Sequence, residues 1–455
     1  MTAENQGHAR RARLKRVVVV NPANYGRNMA GLRPPFGLLT LVSGLMGLGV
    51  EVIWIDADLI RSRQKVFAEL RDYLDCDLLM IGGLSTAYKS IKEIISFVES
   101  SGSSIKIVVG GRVAKDTGDV VWKFNPRLDM LCRQEGEFVV KDYVEHWPDY
   151  KKVRGIEYRM GDDIVVNDVA PTPATFADVP RMRWEILDKS YFAEQGFLLT
   201  GRGCPYKCGF CRKKDSLVEK HRSMEFEEIL DDIRYLLEKR GVNKITFVDE
   251  FFMQNKKRVE NLCHAFQTLG VSFSWVCTTR ANIIGEGDVP LLRLMKESGC
   301  SAINMGLESG SQDMLDKMNK KLRIEQSERA VSAARRAGLK IRPTFIFGFP
   351  GETRRTALES VRWRRRWGLK GGFFYATPYP GSDLYDQWLQ RDSVDLAKEE
   401  AWLLMGPNLN YCNVNLTDMP DWKLRLLGIE CALRLNPKRF ISKKIQGLKR
   451  RLKGS

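Results

Sequence analysis

A chain of 455 residues with 44% hydrophobic and 28% charged residues has the make-up of a folded globular protein of two or three domains. No apolar run approaches the roughly 20 residues that cross a bilayer, and the N-terminus "MTAENQGHARRARLKR" lacks the apolar segment and cleavage site of a secretory signal, so a soluble cytoplasmic protein with reduced thiols is expected. The net charge of +17 sits mainly at the ends, +8 in the last twenty residues and +4 in the first sixteen, which leaves the body little suited to nucleic acid.

Behind the basic N-terminal tail (1–15), residues 16–168 alternate short β-rich runs with helical patterns. The runs are "RVVVVNP", "VEVIWID", "DLLMIGG", "IKIVVGG" and "LDMLCRQEGE"; between them "PFGLLTLVSGLMGLG" and "YKSIKEIISFVESSG" repeat apolar residues at three and four positions. This alternation predicts an α/β, doubly wound, Rossmann-like domain with a parallel sheet. Ligands of such sheets bind beyond the carboxyl ends of the strands, here "NPANYG", "GGLSTAY", "GGRVAKD" and "EGE", where the glycine pairs let backbone approach a ligand or form tight turns. The hairpin "GIEYRMGDDIVVND" closes the domain, and the proline-bearing stretch 169–195 reads as a linker.

A second series runs through 196–390. Its strands are "GFLLTGR", "KITFVDE", "FSWVCTTR", "SAINMGLES", "IRPTFIFGFP" and "GGFFYATPYP", with helical segments such as "FEEILDDIRYLLEKRG" between them. Six βα units are too few for a closed eightfold barrel and predict an open, partial (β/α)6 TIM barrel, with its chemistry on the loops after the strands. The run "RWRRRW" (362–367) is expected to show an exposed basic face with its tryptophans turned inward. Residues 391–455 form a small, mainly helical C-terminal region ending in a basic tail.

Seven of the ten cysteines (Cys76, Cys132, Cys263, Cys277, Cys300, Cys412, Cys431) are scattered and read as buried thiols. Cys204, Cys208 and Cys211 are not: "GRGCPYKCGFC", spaced CxxxCxxC, follows the first strand of the second series. A structural zinc takes four ligands, and the nearest histidine, His221, lies ten positions on after a charged stretch. A four-iron cluster on three thiolates leaves one iron open to a reactant, and Gly203, Gly209 and Phe210 suit the short loop around it.

This spacing on the first loop of a half-barrel resembles the radical S-adenosylmethionine (SAM) superfamily. The resemblance implies a 4Fe-4S cluster on Cys204, Cys208 and Cys211, SAM on its open iron, and an electron donor such as flavodoxin or ferredoxin. By position it implies SAM contacts from Phe210, Asp249, Glu250, Arg280, Glu308 and Ser309: a carboxylate for the amino group, Arg280 for the methionine carboxylate, Glu308 and Ser309 for the ribose. "FIFGFPGE" and "TPYPG" would line the adenosine and substrate side, with Gly348, Gly351 and Gly381 as turn formers. No residue is singled out as catalytic.

The N-terminal domain resembles the cobalamin-binding domain of the cobalamin-dependent branch, which implies cobalamin against Asn24, Tyr25, Gly83, Leu84, Ser85, Thr86, Gly110, Gly111, Arg112, Glu135 and Gly136. There is no Asp-x-His-x-x-Gly, and apart from His8 the only histidine before the linker is His146. The cobalt's lower face would then lack a histidine, with Leu84, Ser85, Thr86 or Arg112 near it instead. Methylthiotransferases fit less well, for the N-terminal half holds only Cys76 and Cys132 and no small β-barrel follows. The expected activity is C-methylation of an unactivated carbon through a 5′-deoxyadenosyl radical and methylcobalamin. The alternatives are cyclisation, rearrangement or oxidation of a lipid, isoprenoid, porphyrin or antibiotic precursor by the same branch, and a non-catalytic cobalamin or iron–sulfur sensor. In the tail, Ile441, Ile445, Leu448 and Leu452 share one helical face beneath cationic residues, a pattern suited to peripheral contact with an anionic membrane and to a small-molecule or lipid substrate.

Overall fold

Val17, Val18, Val19 and Val20 are fully buried in the first strand of the computed structural model, which describes residues 14–24, 32–171, 175–212 and 221–437. A strand apolar on both faces requires helices on both sides. The unit so built takes in residues 1–188 and 394–406. Its strands are β1 (Arg16–Asn21), β2 (Glu51–Asp56), β3 (Leu78–Gly82), β4 (Lys106–Gly110), β5 (Met130–Cys132), β6 (Ile156–Met160) and β7 (Asp163–Val166). They lie in the order β2-β1-β3-β4-β5-β6-β7, the first five parallel and the last two an antiparallel hairpin against β5. Such an order reverses direction between β1 and β3, where a doubly wound sheet opens a crevice.

The helix Phe36–Gly47 buries Leu38, Leu39, Val42 and Leu45, and the helix Tyr88–Ser100 buries Ile91, Ile94, Ile95 and Val98, the three- and four-residue spacing of one helical face. Burying each such side chain contributes about 1.5–3 kcal/mol. Part of the expected linker belongs to this unit: the Trp184 ring meets Phe36 edge-on at 6.3 Å, and the Arg183 amide donates to Ser43 Oγ at 3.1 Å. So does the helix Leu396–Met405, from the region expected to stand apart at the C-terminus. Its Glu400 accepts hydrogen bonds from the Tyr88 hydroxyl at 2.8 Å and from the Lys92 ammonium. Burial and that acceptor push the Tyr88 phenol far above its ordinary range.

The second unit, residues 189–393 and 407–455, contains β8 (Gly196–Leu198), β9 (Gly201–Arg202), β10 (Arg222–Ser223), β11 (Lys244–Phe247), β12 (Ser274–Arg280), β13 (Cys300–Glu308), β14 (Ile341–Phe347) and β15 (Phe374–Tyr375). Six of them form one parallel sheet in the order β15-β14-β13-β12-β11-β8, so that β8 and β15 stay at opposite edges of an open half-barrel. Its helix layer packs through an aromatic cluster. Phe247, Phe252 and Phe266 surround the fully buried Trp275, whose indole nitrogen donates to the Ser298 carbonyl at 2.9 Å.

Arg364, in the expected exposed run, is fully buried. Its guanidinium lies over Phe345 and Phe373 and donates to the Gly371 and Gly372 carbonyls, while Arg362, Arg365 and Arg366 face outward and Trp363 is buried. Burial pulls its pKa down to about 10. Cys412, read as a buried thiol, is exposed. Gly348, Gly351 and Gly381 take φ of 82°, 76° and 79°, as turn formers do. The helix Asp421–Leu435 packs Leu424, Leu427 and Cys431 against Phe347 and Val361. Among the described residues no helix is long and apolar enough to cross a membrane. The amphipathic tail, residues 1–13 of the N-terminal tail and Tyr25 lie outside the described residues.

Candidate functional site

The cysteine loop leaves the carboxyl end of β8 through β9, which pairs with β10 as Arg202 with Arg222 and Gly201 with Ser223. Two carboxylates at the end of β11 hold its entry. Asp249, 1% exposed, accepts from the Thr200 amide and hydroxyl, each at 2.7 Å, and Glu250 accepts from the Gly203 amide at 2.9 Å. Gly203 has φ 101°, a conformation that favours glycine. Farther along, the Gly209 amide donates to the Met318 carbonyl and the Leu384 amide to the Gly209 carbonyl, both at 2.9 Å, and Asn319 Nδ2 donates to the Lys207 carbonyl at 2.7 Å. The loop is thus tied down at both ends, and Cys208 is 4% exposed.

Around the cysteines the strand ends bring up charge. The Arg280 guanidinium, at the end of β12, stacks on the Tyr206 ring with 3.6 Å to its centroid, and Nη1 donates to Cys208 Sγ at 3.1 Å. Burial pushes the Cys204 thiol up, while the Arg280 charge pulls it down and the neighbouring Cys208 and Cys211 push it up, which puts all four groups within electrostatic reach. Glu308, ending β13, holds a left-handed φ of 58°, a conformation that costs a non-glycine residue about 1–3 kcal/mol and tends to persist at functional sites. Its carboxylate pairs with the buried Lys320 ammonium at 2.8 Å and accepts from Thr344 Oγ1 at 3.1 Å. Lys320 in turn lies 5.6 Å from the Phe210 ring centre. A Cβ on Gly306 would fall 2.4 Å from Glu308 Oε1 and 2.8 Å from Lys320 Nζ, so glycine there leaves room for the pair.

Of the residues expected to meet SAM, Phe210, Glu250, Arg280 and Glu308 therefore stand around the cysteine loop. Each of the polar ones is already hydrogen-bonded within the protein, Asp249 and Ser309 most completely. Asp249 clamps Thr200, and Ser309, 2% exposed, shares a 2.9 Å hydrogen bond with Ser360 Oγ and accepts from the Ser311 amide. Lys320 was not legible beforehand, since nothing in "MNKKLR" separates it from Lys321. Arg258 was missed as well: it donates to the Thr200 carbonyl and hydroxyl from the helix Lys256–Thr268. His221 stacks against Gly201, where a Cβ would come 2.7 Å from Nε2. Burial first, then the Arg258 charge, pulls its imidazole down to about 4.

In the first unit the expected cobalamin residues line one edge of the sheet: Asn24 after β1, Gly83, Leu84, Ser85 and Thr86 after β3, Gly110, Gly111 and Arg112 at β4, Glu135 and Gly136 after β5. Asn24 Nδ2 donates to Thr86 Oγ1 at 3.0 Å across the β1/β3 reversal. The glycines have a cause within the protein. Gly111, at φ 80°, would place a Cβ 2.8 Å from the Gly83 carbonyl, and the Val113 amide donates to that carbonyl at 3.0 Å. The two strand-end loops press on each other, and glycine lets them meet. Arg112 pairs with Asp116 at 2.8 Å.

The donor set fits an iron–sulfur cluster. Cys204, Cys208 and Cys211 supply three thiols on one short loop, the ligand type that iron–sulfur clusters take. The buried Arg280 guanidinium on Cys208 supplies a positive charge matched to anionic sulfur.

Residues 198–364 match the model of the radical SAM superfamily. An uncharacterised methyltransferase of Pyrococcus horikoshii is 26% identical over 361 residues, 78% of either chain. The anaerobic magnesium-protoporphyrin IX monomethyl ester cyclase of Rubrivivax gelatinosus is 26% identical over 409 residues, 86% of this chain and 73% of its own. Among solved structures, the cobalamin-dependent SAM radical enzyme OxsB, with aqua-cobalamin and SAM bound, superposes with a TM-score of 0.66 at 20% identity. It covers 89% of this chain, which spans only 58% of that one, and the likeness is one of fold.

Proposed function

Since residues 198–364 form a domain of the radical SAM superfamily, we propose that this chain is a cobalamin-dependent radical SAM C-methyltransferase acting on an unactivated carbon of a small molecule. The observation that carries the reading is the tethered CxxxCxxC loop with Arg280 against Cys208 at the carboxyl edge of the half-barrel. The methyltransferase relative and the cobalamin-dependent fold support the rest. When bound, the cluster supplies the electron that splits SAM into methionine and a 5′-deoxyadenosyl radical, and cobalamin carries the methyl group.

The chain's own residues divide the remaining work. Cys204, Cys208 and Cys211 hold the cluster. Thr200 and Gly203, gripped by Asp249 and Glu250, fix where the loop begins. Phe210, Glu308 and Lys320 form a part-apolar, part-charged wall beside the loop, suited to a sulfonium compound with amino, carboxylate and ribose groups. Asn24, Leu84, Ser85 and Thr86 border the crevice of the first unit and would meet cobalamin there. A reductant such as flavodoxin or ferredoxin provides the electron, and the protein works in the cytoplasm.

Anaerobic reconstitution with iron, sulfide and cobalamin, followed by methyl-labelled SAM and candidate substrates, tests this. Bound corrinoid, 5′-deoxyadenosine and label in the product are expected. Deoxyadenosine with an unlabelled, ring-closed product would favour the cyclase reading that the Rubrivivax relative raises. Absence of bound corrinoid would sink both.

A further inference from the structure

Arg280 is 6% exposed, and its guanidinium donates to three groups among the described residues. Nε donates to Asn282 Oδ1 at 3.2 Å, Nη2 to the Lys320 carbonyl and Nη1 to Cys208 Sγ at 3.1 Å. Asn282 Nδ2 donates to the Tyr206 hydroxyl at 2.7 Å, closing a frame around the ring on which the guanidinium lies. Among the described residues no carboxylate bonds to it, and the nearby Glu308 is paired with Lys320. An arginine cannot shed its proton, and a buried charge without a partner costs several kcal/mol. Sulfur is the one acceptor in this frame able to carry the compensating charge.

We propose that Arg280 is a positioning residue of the cluster, the buried counter-charge of the Cys208 thiolate, and that it raises the potential at which the cluster takes up an electron. The proposal rests on the radical SAM reading and departs from the sequence expectation that Arg280 grips the SAM carboxylate. Reduction adds negative charge to the cluster. A fixed cation and a hydrogen bond to a ligand sulfur stabilise the reduced form more than the oxidised one, and cluster potentials respond to both. The stack on Tyr206 and the bond from Asn282 keep the charge on the sulfur, so the effect precedes SAM binding.

The test is an EPR-monitored reductive titration of the reconstituted full chain without SAM, comparing wild type with Arg280→Gln and Arg280→Lys. In Arg280→Gln the ratio of reduced to oxidised cluster at a fixed applied potential is expected to fall about tenfold, which for a one-electron couple is about 59 mV. Arg280→Lys keeps the charge without the planar fork and is expected to fall between that variant and wild type. A midpoint unchanged in both, with weakened SAM binding by equilibrium dialysis, would make Arg280 a carboxylate clamp and overturn the proposal. Should Arg280→Gln fail to load iron, Tyr206→Leu removes the platform and leaves the donors; its midpoint is expected to shift the same way, and an unshifted one counts equally against the idea. Wild-type protein that assembles no cluster overturns the functional reading along with this one, whereas a normal cluster with unshifted variants overturns this one alone.

Discussion

The carboxyl edges of the two sheets differ in where their charges stand. In the half-barrel, buried charges crowd the strand ends: Asp249 on Thr200, Arg280 on Cys208, Lys320 on Glu308. In the first unit the charges of the equivalent edge sit to the sides, Asp56 and Asp58 at and after the end of β2 and the Arg112–Asp116 pair after β4, while at the β3/β4 crossing the backbone of Gly83 and Gly111 touches and Asn24 makes a neutral bridge to Thr86. A site made of charged side chains is sensitive to the loss of an atom. A site made of bare backbone is sensitive to the gain of one.

The largest effect that this contrast predicts is Cys208→Ala, expected to abolish SAM cleavage, with iron content and deoxyadenosine as readouts. Retained cleavage would show that the charged edge does not depend on its sulfur. Next comes Lys320→Met, which leaves Glu308 buried and unpaired and should cost about 3–5 kcal/mol in denaturant unfolding. Lys320→Met with Glu308→Leu should recover much of that loss, since two apolar residues replace two charges. If single and double variants are equally stable, the pair is not under desolvation stress and the contrast weakens.

Glu352 offers a pH test. Burial pushes its carboxyl up to about 8, while the Gly348 amide, which donates to it, works in the other direction. Between about 4.5, its unfolded value, and about 8 the native state holds a proton that the unfolded state has lost, so stability declines as pH rises through that window. Glu352→Gln keeps an acceptor for Gly348 and should flatten the decline, by at most a few kcal/mol at pH 8. A slope unchanged by the substitution would contradict a neutral native carboxyl. The smallest effect belongs to the backbone edge. Gly111→Ala should cost about 1–3 kcal/mol, from its positive φ and the approach to the Gly83 carbonyl, and lower retained corrinoid by absorbance. Gly110→Ala, with its nearest contact at 3.8 Å, should do less.

The same contrast decides what sequence reading could reach. Strands made of apolar runs, from "RVVVVNP" to "IRPTFIFGFP", carry their period locally, and all appear near their expected places. The cysteine spacing is local too. Lys320 acquires its meaning only when the chain brings β13 and the stretch after the helix Gln312–Lys317 together, twelve residues apart. Arg364 looked like one more cation on a basic face; only the aromatic pair Phe345 and Phe373 and the carbonyls beyond the helix make its burial tolerable. Ser309 and Asp249 showed a polar residue at a strand end but not which neighbour would engage it first.

The helix Leu396–Met405 puts the first unit's last piece some two hundred residues behind the rest of it. During synthesis that unit emerges first, yet the apolar flank of the helix Tyr88–Ser100, with Tyr88 and Lys92, meets Glu400 only after the whole half-barrel has left the ribosome. Domains are usually released in the order they are made. Here the unit that begins first stays open until residues 394–406 are made, and a chain cut anywhere before residue 394 would lack the carboxylate that receives the Tyr88 hydroxyl.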